Sequence, residues 1–94
     1  MLFVGIGTYK GNFVAGNLEG KGRFDYQDGS YYEGEFKEDR KQGKGIFVEA
    51  DGATVYNGGW FNDLKHGKGT IIQGGTYKIE GIWKDGILQE MLTF

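Results

Sequence analysis

The residues of this chain that could take part in chemistry are spread along it and form no catalytic set. His66 is the only histidine, there is no cysteine, and the acidic residues have neither EF-hand spacing nor the paired spacing of a metal site. Gly5-Ile6-Gly7 is too short for a phosphate-binding fingerprint, and no strand–loop–helix pattern follows it. We therefore predict that the chain is not an enzyme and that it holds no metal or cofactor.

One set of charged residues does recur at a fixed spacing. Lys21, Lys44 and Lys68 each stand between two glycines, and two strands per repeat would place them about 10 Å apart along a sheet. Such a row could bind anionic lipid headgroups, at about 1 kcal/mol for each basic residue near a charged surface. We favour the alternative of a solvated face with weak ion pairs, because Glu33 and Glu35 dilute the positive field.

The segments that carry these lysines belong to a cassette that occurs four times. In each cassette a glycine lies two residues after Tyr or Ile and two residues before Phe or Trp. The four cassettes are Tyr9-Gly11-Phe13, Tyr32-Gly34-Phe36, Tyr56-Gly58-Trp60 and Ile79-Gly81-Trp83, and their glycines are 23, 24 and 23 residues apart. A fixed period of this length indicates a repeat array, in which each unit buries its face against its neighbours.

Within each repeat the side chains alternate with a period of two, which is typical of β-strands. The turns predicted between strands are Asp28-Gly29, Asp51-Gly52 and Gly74-Gly75. We see no convincing helix. The sequence therefore predicts an all-β fold, an elongated antiparallel meander of consecutive β-hairpins that forms a single twisted sheet.

One face of this sheet carries aromatic rings beside glycines, and each missing side chain should leave room for a ring. These rings can bind a helix or peptide of a protein partner in a groove, and they can form the core of a thin sheet, which is the interpretation we favour. Both can hold, because a single sheet has no second layer to cover its rings. The candidate groove residues are Tyr9, Phe13, Tyr32, Phe36, Tyr56, Trp60 and Trp83.

The opposite face becomes apolar toward the C-terminal half of the chain. An exposed apolar patch usually marks an interface, so a homodimer or a larger protein partner is one expectation. The other is that the C-terminal tail folds back and covers the patch. The candidate oligomer face consists of Ile46, Val48, Phe61, Ile72, Ile82, Met91, Leu92 and Phe94.

These cassettes resemble the MORN (membrane occupation and recognition nexus) repeat over about residues 5–88. Units of about 9–31, 32–55, 56–78 and 79–94 form one domain over 1–94, and 1–8 adds a partial N-terminal strand. The fourth unit departs from the pattern, because Ile79 replaces the tyrosine. Asp39 and Asp63 replace a loop glycine, so we expect those loops to differ in shape from the loop at Gly16. The resemblance implies a hairpin meander with a non-catalytic scaffolding role.

The net charge and the apolar patterning exclude some classes of partner. The net charge of −2 argues against nucleic acid, and the chain shows neither a signal peptide nor an apolar run of membrane-spanning length. We expect a cytoplasmic scaffold for protein–protein interaction, peripheral to a membrane or to the cytoskeleton. The alternatives are an anionic phospholipid adaptor that uses Lys21, Lys44 and Lys68, and a carbohydrate-binding repeat module.

Overall fold

The computed structural model of the protein describes residues 2–3 and 5–92, which form one antiparallel sheet. Its strands are β1 (Leu2–Phe3), β2 (Gly7–Val14), β3 (Asn17–Tyr26), β4 (Tyr31–Lys37), β5 (Arg40–Val48), β6 (Thr54–Phe61), β7 (Leu64–Gln73), β8 (Tyr77–Lys84) and β9 (Ile87–Met91). Every strand pairs with the next one along the chain. The predicted hairpin meander is therefore confirmed, and the described part of the chain contains no helix, so none that could cross a membrane.

The glycines of the cassettes line up across the sheet. Gly11 pairs with Gly22 and Gly22 with Gly34, and the row continues in the same register through Gly45, Gly58, Gly69 and Gly81. A second row, two residues away, brings Tyr9, Phe24 and Tyr32 side by side and continues through Phe47, Tyr56, Ile71 and Ile79. Because side chains two residues apart share a face of a strand, the rings and the glycine row lie on the same face, which we call the front face.

The turns between units are closed by aspartate or glycine. The Asp28 carboxylate accepts hydrogen bonds from the Ser30 hydroxyl and from its backbone N–H, which hold the pKa of Asp28 below its usual value. The Asp51 carboxylate accepts the N–H groups of Thr54 and Ala53, with the same effect on its pKa. These local bonds let a short turn close without help from the rest of the sheet.

The turns within units share one backbone shape. Each is a two-residue turn with positive φ at both positions: Ala15-Gly16 (51° and 82°), Glu38-Asp39 (49° and 69°), Asn62-Asp63 (52° and 70°) and Asp85-Gly86 (50° and 84°). The expectation that Asp39 and Asp63 give differently shaped loops is therefore wrong. Aspartate tolerates the left-handed region better than most residues, and here its carboxylate has a structural partner.

That partner lies in the preceding unit. Asp39 Oδ1 accepts the backbone N–H of Leu18 at 2.7 Å, while the Asp39 N–H donates to the Leu18 carbonyl at 3.2 Å. Asp63 forms the same two bonds with Lys41, at 2.9 and 3.1 Å. At the next junction Gly86 keeps only the backbone bond, to the Lys65 carbonyl. The two aspartates thus link consecutive units.

We expect Asp39→Ala to lower the free energy of unfolding by about 2 kcal/mol. The change removes a charge-assisted hydrogen bond and leaves a side chain with no compensating contact at positive φ. Asp39→Asn keeps an acceptor and tolerates this backbone region, so it should cost about 0.5 kcal/mol. Urea unfolding followed by circular dichroism measures both. Equal losses in the two variants would show that the bond to Leu18 contributes little.

Candidate functional site

Seven rings on the front face form a continuous edge-to-face stack, which we call the ring ladder. In their order along the stack, the rings are Phe13, Tyr9, Phe36, Tyr32, Trp60, Tyr56 and Trp83. The centroids of successive rings are 5.1–5.6 Å apart, and their planes lie at 80–90° to one another. Each inner Phe or Trp contacts the tyrosine of its own unit and that of the unit before. The ladder therefore carries the packing between units, in the geometry that aromatic pairs prefer.

The ring ladder forms most of the core, which also includes Leu18 and Phe24. Six of the seven rings expose 8% or less of their surface, and Tyr9 and Tyr32 expose none. Only Phe13, at the N-terminal end of the ladder, is substantially exposed, at 42%. These are the residues in which the sequence suggests a partner groove. That binding role stays a prediction, and the buried rings offer a partner almost no surface.

The tyrosines of the ladder are fixed by hydrogen bonds to the backbone. The hydroxyl groups of Tyr9, Tyr32 and Tyr56 donate to the carbonyl three residues further along, at 3.0, 2.8 and 2.8 Å. Each hydroxyl also fills the space that a side chain would need at Gly22, Gly45 or Gly69. The idea that glycine leaves room for a ring is thus confirmed, and burial raises the pKa of Tyr56 to about 12.

Because of this raised pKa, the folding stability of the protein should change with pH in the alkaline range. The folded state favours the protonated phenol, so the contribution of Tyr56 is complete below about pH 10, the pKa of tyrosine in the unfolded chain. It is lost as the pH rises from there toward 12. We expect Tyr56→Phe to lower stability by about 1 kcal/mol at neutral pH, through loss of the bond to the Gly59 carbonyl.

The same variant should lose less stability than the wild type between pH 10 and pH 12. Urea unfolding at pH 7 and at two alkaline values measures this slope. Tyr77→Phe makes the same chemical change at a ring that is 61% exposed, and it serves as the control. If the stability of Tyr56→Phe falls with rising pH as steeply as that of the wild type, the alkaline pH dependence does not come from Tyr56.

Two lysines lie on the ring ladder. The Lys41 ammonium is 5.3–5.7 Å from the centroids of Tyr26, Tyr32, Phe47 and Trp60. Lys65 lies in the same way over Tyr56 and Trp83. No role was predicted for these two lysines from the sequence. The equivalent positions of the first and last units are Leu18 and Leu88, which pack in or against the same core. The repeat position of Lys41 and Lys65 could therefore have indicated that they lie on the front face.

The predicted lysine column lies on the opposite face, which we call the outer face. Lys21, Lys44 and Lys68 are all exposed there. Lys68 Nζ lies 3.8 Å from Glu80 Oε1, a weak surface pair. Lys21 pairs across the strands with Glu35, although the Glu35 carboxylate is bonded to the N–H of Lys44. The structure brings the three lysines to one surface, and their lipid-binding role stays a prediction.

Most of the predicted oligomer face also lies on the outer face, but its members differ in exposure. Met91 is the exception, because it pairs directly with Gly81 and therefore lies on the front face. Phe61 and Met91 are about half exposed, at 50% and 51%, and Leu92 is 40% exposed. Ile46, Val48, Ile72 and Ile82 are partly buried between neighbouring side chains, and Phe94 lies outside the described residues. Two exposed residues missed by the sequence, Leu64 and Ile87, extend this surface beside Phe61.

The C-terminal tail does not fold back over this face as far as Leu92. The Leu92 N–H donates to the Glu80 carbonyl at 2.7 Å, so the tail continues the pairing of β9 with β8. Met91 pairs with Gly81 in the same register. Of the two expectations for the outer face, cover by the tail is thus wrong for the described residues.

Comparison with known proteins identifies the repeat. The family model of the MORN repeat matches residues 9–31, 32–54 and 56–73. Alsin of Mus musculus and Alsin of Homo sapiens are each 28% identical to the chain over 88 residues. Those matches cover 86% of this chain but 5% of Alsin, so the chain spans only a small part of the length of these relatives.

Proposed function

Because the chain belongs to the MORN repeat family, we propose that it is a non-catalytic scaffold that binds a protein partner on its outer face. On the front face the ring ladder packs consecutive units against one another, so this face makes the array rigid. The outer face is left free for contacts. A place at a membrane or on the cytoskeleton would then follow from the partner.

The observation that carries this proposal is the exposed apolar patch formed by Phe61, Leu64 and Ile87. These side chains are 50%, 44% and 65% exposed and lie at neighbouring hairpin ends of β6, β7 and β9. Phe61 pairs with Leu64, and the Leu64 side chain reaches toward Gly86, next to Ile87. Contiguous apolar surface of this kind on a soluble scaffold usually marks an interface.

A second copy of the chain is the first partner to test. We expect size-exclusion chromatography with light scattering to give a mass above that of the 10.5 kDa monomer, rising with concentration. The double variant Phe61→Ser/Ile87→Ser should remain a monomer. Leu2→Ser is the control, because Leu2 is equally exposed but lies at the other end of the sheet.

A monomeric wild type would rule out the second copy and move the test to other proteins. A photo-crosslinking residue at position 61 should then capture specific proteins from a cell extract, and one at the exposed Lys10 should not. If the wild type is monomeric and positions 61 and 10 capture the same proteins, the proposal is wrong.

The lysine column supports a second candidate, an adaptor for anionic phospholipid headgroups. Its support is the exposure of Lys21, Lys44 and Lys68 on one face. We expect binding to vesicles that contain phosphatidylserine, weakening steeply as the salt concentration rises, because exposed charges are screened. Equal binding to vesicles of phosphatidylcholine alone, or binding that ignores salt, would exclude this function.

A further inference from the structure

The three complete units differ at one position of the outer face. Asn12, Glu35 and Gly59 occupy it in the first, second and third unit. In the second unit Glu35 Oε2 accepts the backbone N–H of Lys44 at 2.6 Å and lies against Gly43. In the first unit the Asn12 amide lies 3.3 Å from where a side chain on Gly20 would begin. Both units thus fill this position with a polar side chain.

The third unit leaves the corresponding space open. Gly59 has no side chain, and the His66 carbonyl lies where one would begin. In contrast, nothing lies within 4 Å of the point where a side chain on Gly67 would begin. Gly67 corresponds to Gly43, where the Glu35 carboxylate occupies that space. A cleft of about 600 Å³ opens here between Lys44 and Lys68.

The lining of this cleft favours an anion. Lys44 and Lys68 are exposed, Asn57 and Thr70 add polar groups, and no acidic residue lies among the lining residues. The Lys68 ammonium does lie 3.8 Å from the carboxylate of Glu80, which is not part of the lining. The His66 ring also lines the cleft, and its Nδ1 is buried with no hydrogen-bond partner within the described part of the chain. Because this atom has no exposed surface, it offers nothing to a ligand, and the attraction of the cleft for an anion comes from the two lysines.

We propose that this cleft binds a carboxylate side chain from an acidic segment of a protein partner. The partner's carboxylate takes the place that Glu35 occupies in the second unit, with the ammonium groups of Lys44 and Lys68 on either side. This chemistry is favoured over a phosphate because the neighbouring unit holds a carboxylate at the same position. The inference rests on the proposed function, and it specifies the partner as acidic.

The test uses a hexaglutamate peptide, titrated into the full chain and followed by the backbone amide resonances of Gly67 and Lys68. We expect saturable shifts at these amides. The variant Lys44→Gln/Lys68→Gln should weaken binding about tenfold, since two exposed charge pairs are lost. The matched control Lys10→Gln/Lys21→Gln makes the same change of charge on the same face of the first unit, and it should change the affinity less than twofold.

Two outcomes would overturn the inference. One is an equal loss in both double variants, which would show a general charge effect. The other is no shift with hexaglutamate; if binding to phosphatidylserine vesicles then depends on Lys44 and Lys68, the cleft is assigned to lipid. The proposed function is tested separately by crosslinking at position 61, so a specific capture there without hexaglutamate binding overturns only the acidic-partner inference.

Discussion

Gly45→Ala is expected to lower the free energy of unfolding by about 3 kcal/mol, although it adds a single methyl group. A Cβ on Gly45 would overlap the hydroxyl and ring carbons of Tyr32. That ring is fully buried and is held by its bond to the Glu35 carbonyl, so it has nowhere to move. Overpacking a well-filled core typically costs 1–3 kcal/mol, and the contact here is with a rigid ring. Urea unfolding of the purified variant measures the loss.

Gly74→Ala is the matched control for this change. Gly74 has a positive φ of 61°, but no atom lies within 4 Å of an added Cβ. Its cost should be about 1 kcal/mol, from the left-handed backbone alone. If the two alanine variants are equally destabilised, the row requires glycine because of its backbone freedom, and overlap with Tyr32 is not the reason.

Trp60→Ala is expected to cost about 4 kcal/mol, the typical loss for a large buried aromatic residue. Trp60 stacks edge-to-face on Tyr32 and on Tyr56, and its indole N–H donates to the Gly45 carbonyl at 3.1 Å. It thereby joins the second and third units. Because a repeat array is stabilised by contacts between neighbouring units, the loss should also split unfolding into two stages.

Hydrogen exchange of the backbone amides measures this separation directly. In the wild type we expect similar protection in β4 and β8, and in Trp60→Ala a lower and unequal protection on the two sides of β6. Trp60→Phe is the control, since Phe36 occupies the same position in the second unit. It should keep the ladder and cost about 1–2 kcal/mol, largely from the lost bond to Gly45. A single cooperative transition in Trp60→Ala would contradict the role of the ladder.

The sequence by itself determined the hairpin meander and the face on which each cassette residue lies. Alternation with a period of two and turns such as Asp51-Gly52 are local signals, and in a meander every pairing joins neighbours in the chain. The fixed period then places equivalent residues in register. For the same reason the positions of Lys21, Lys44 and Lys68 on one surface followed from spacing alone.

Tertiary structure decided which of these residues is buried and which is free. Whether a ring such as Tyr32 lines a groove or fills the core depends on the ring of the next unit, Trp60, which lies 28 residues away in sequence. Likewise, the carboxylate of Asp39 finds its partner at Leu18, and no pattern within the loop specifies that bond. Local periodicity sets the direction of a side chain, but burial and hydrogen bonding are set by what packs against it. The open space beside Gly67 could therefore be recognised only after Glu35 was seen to fill the same space in the unit before.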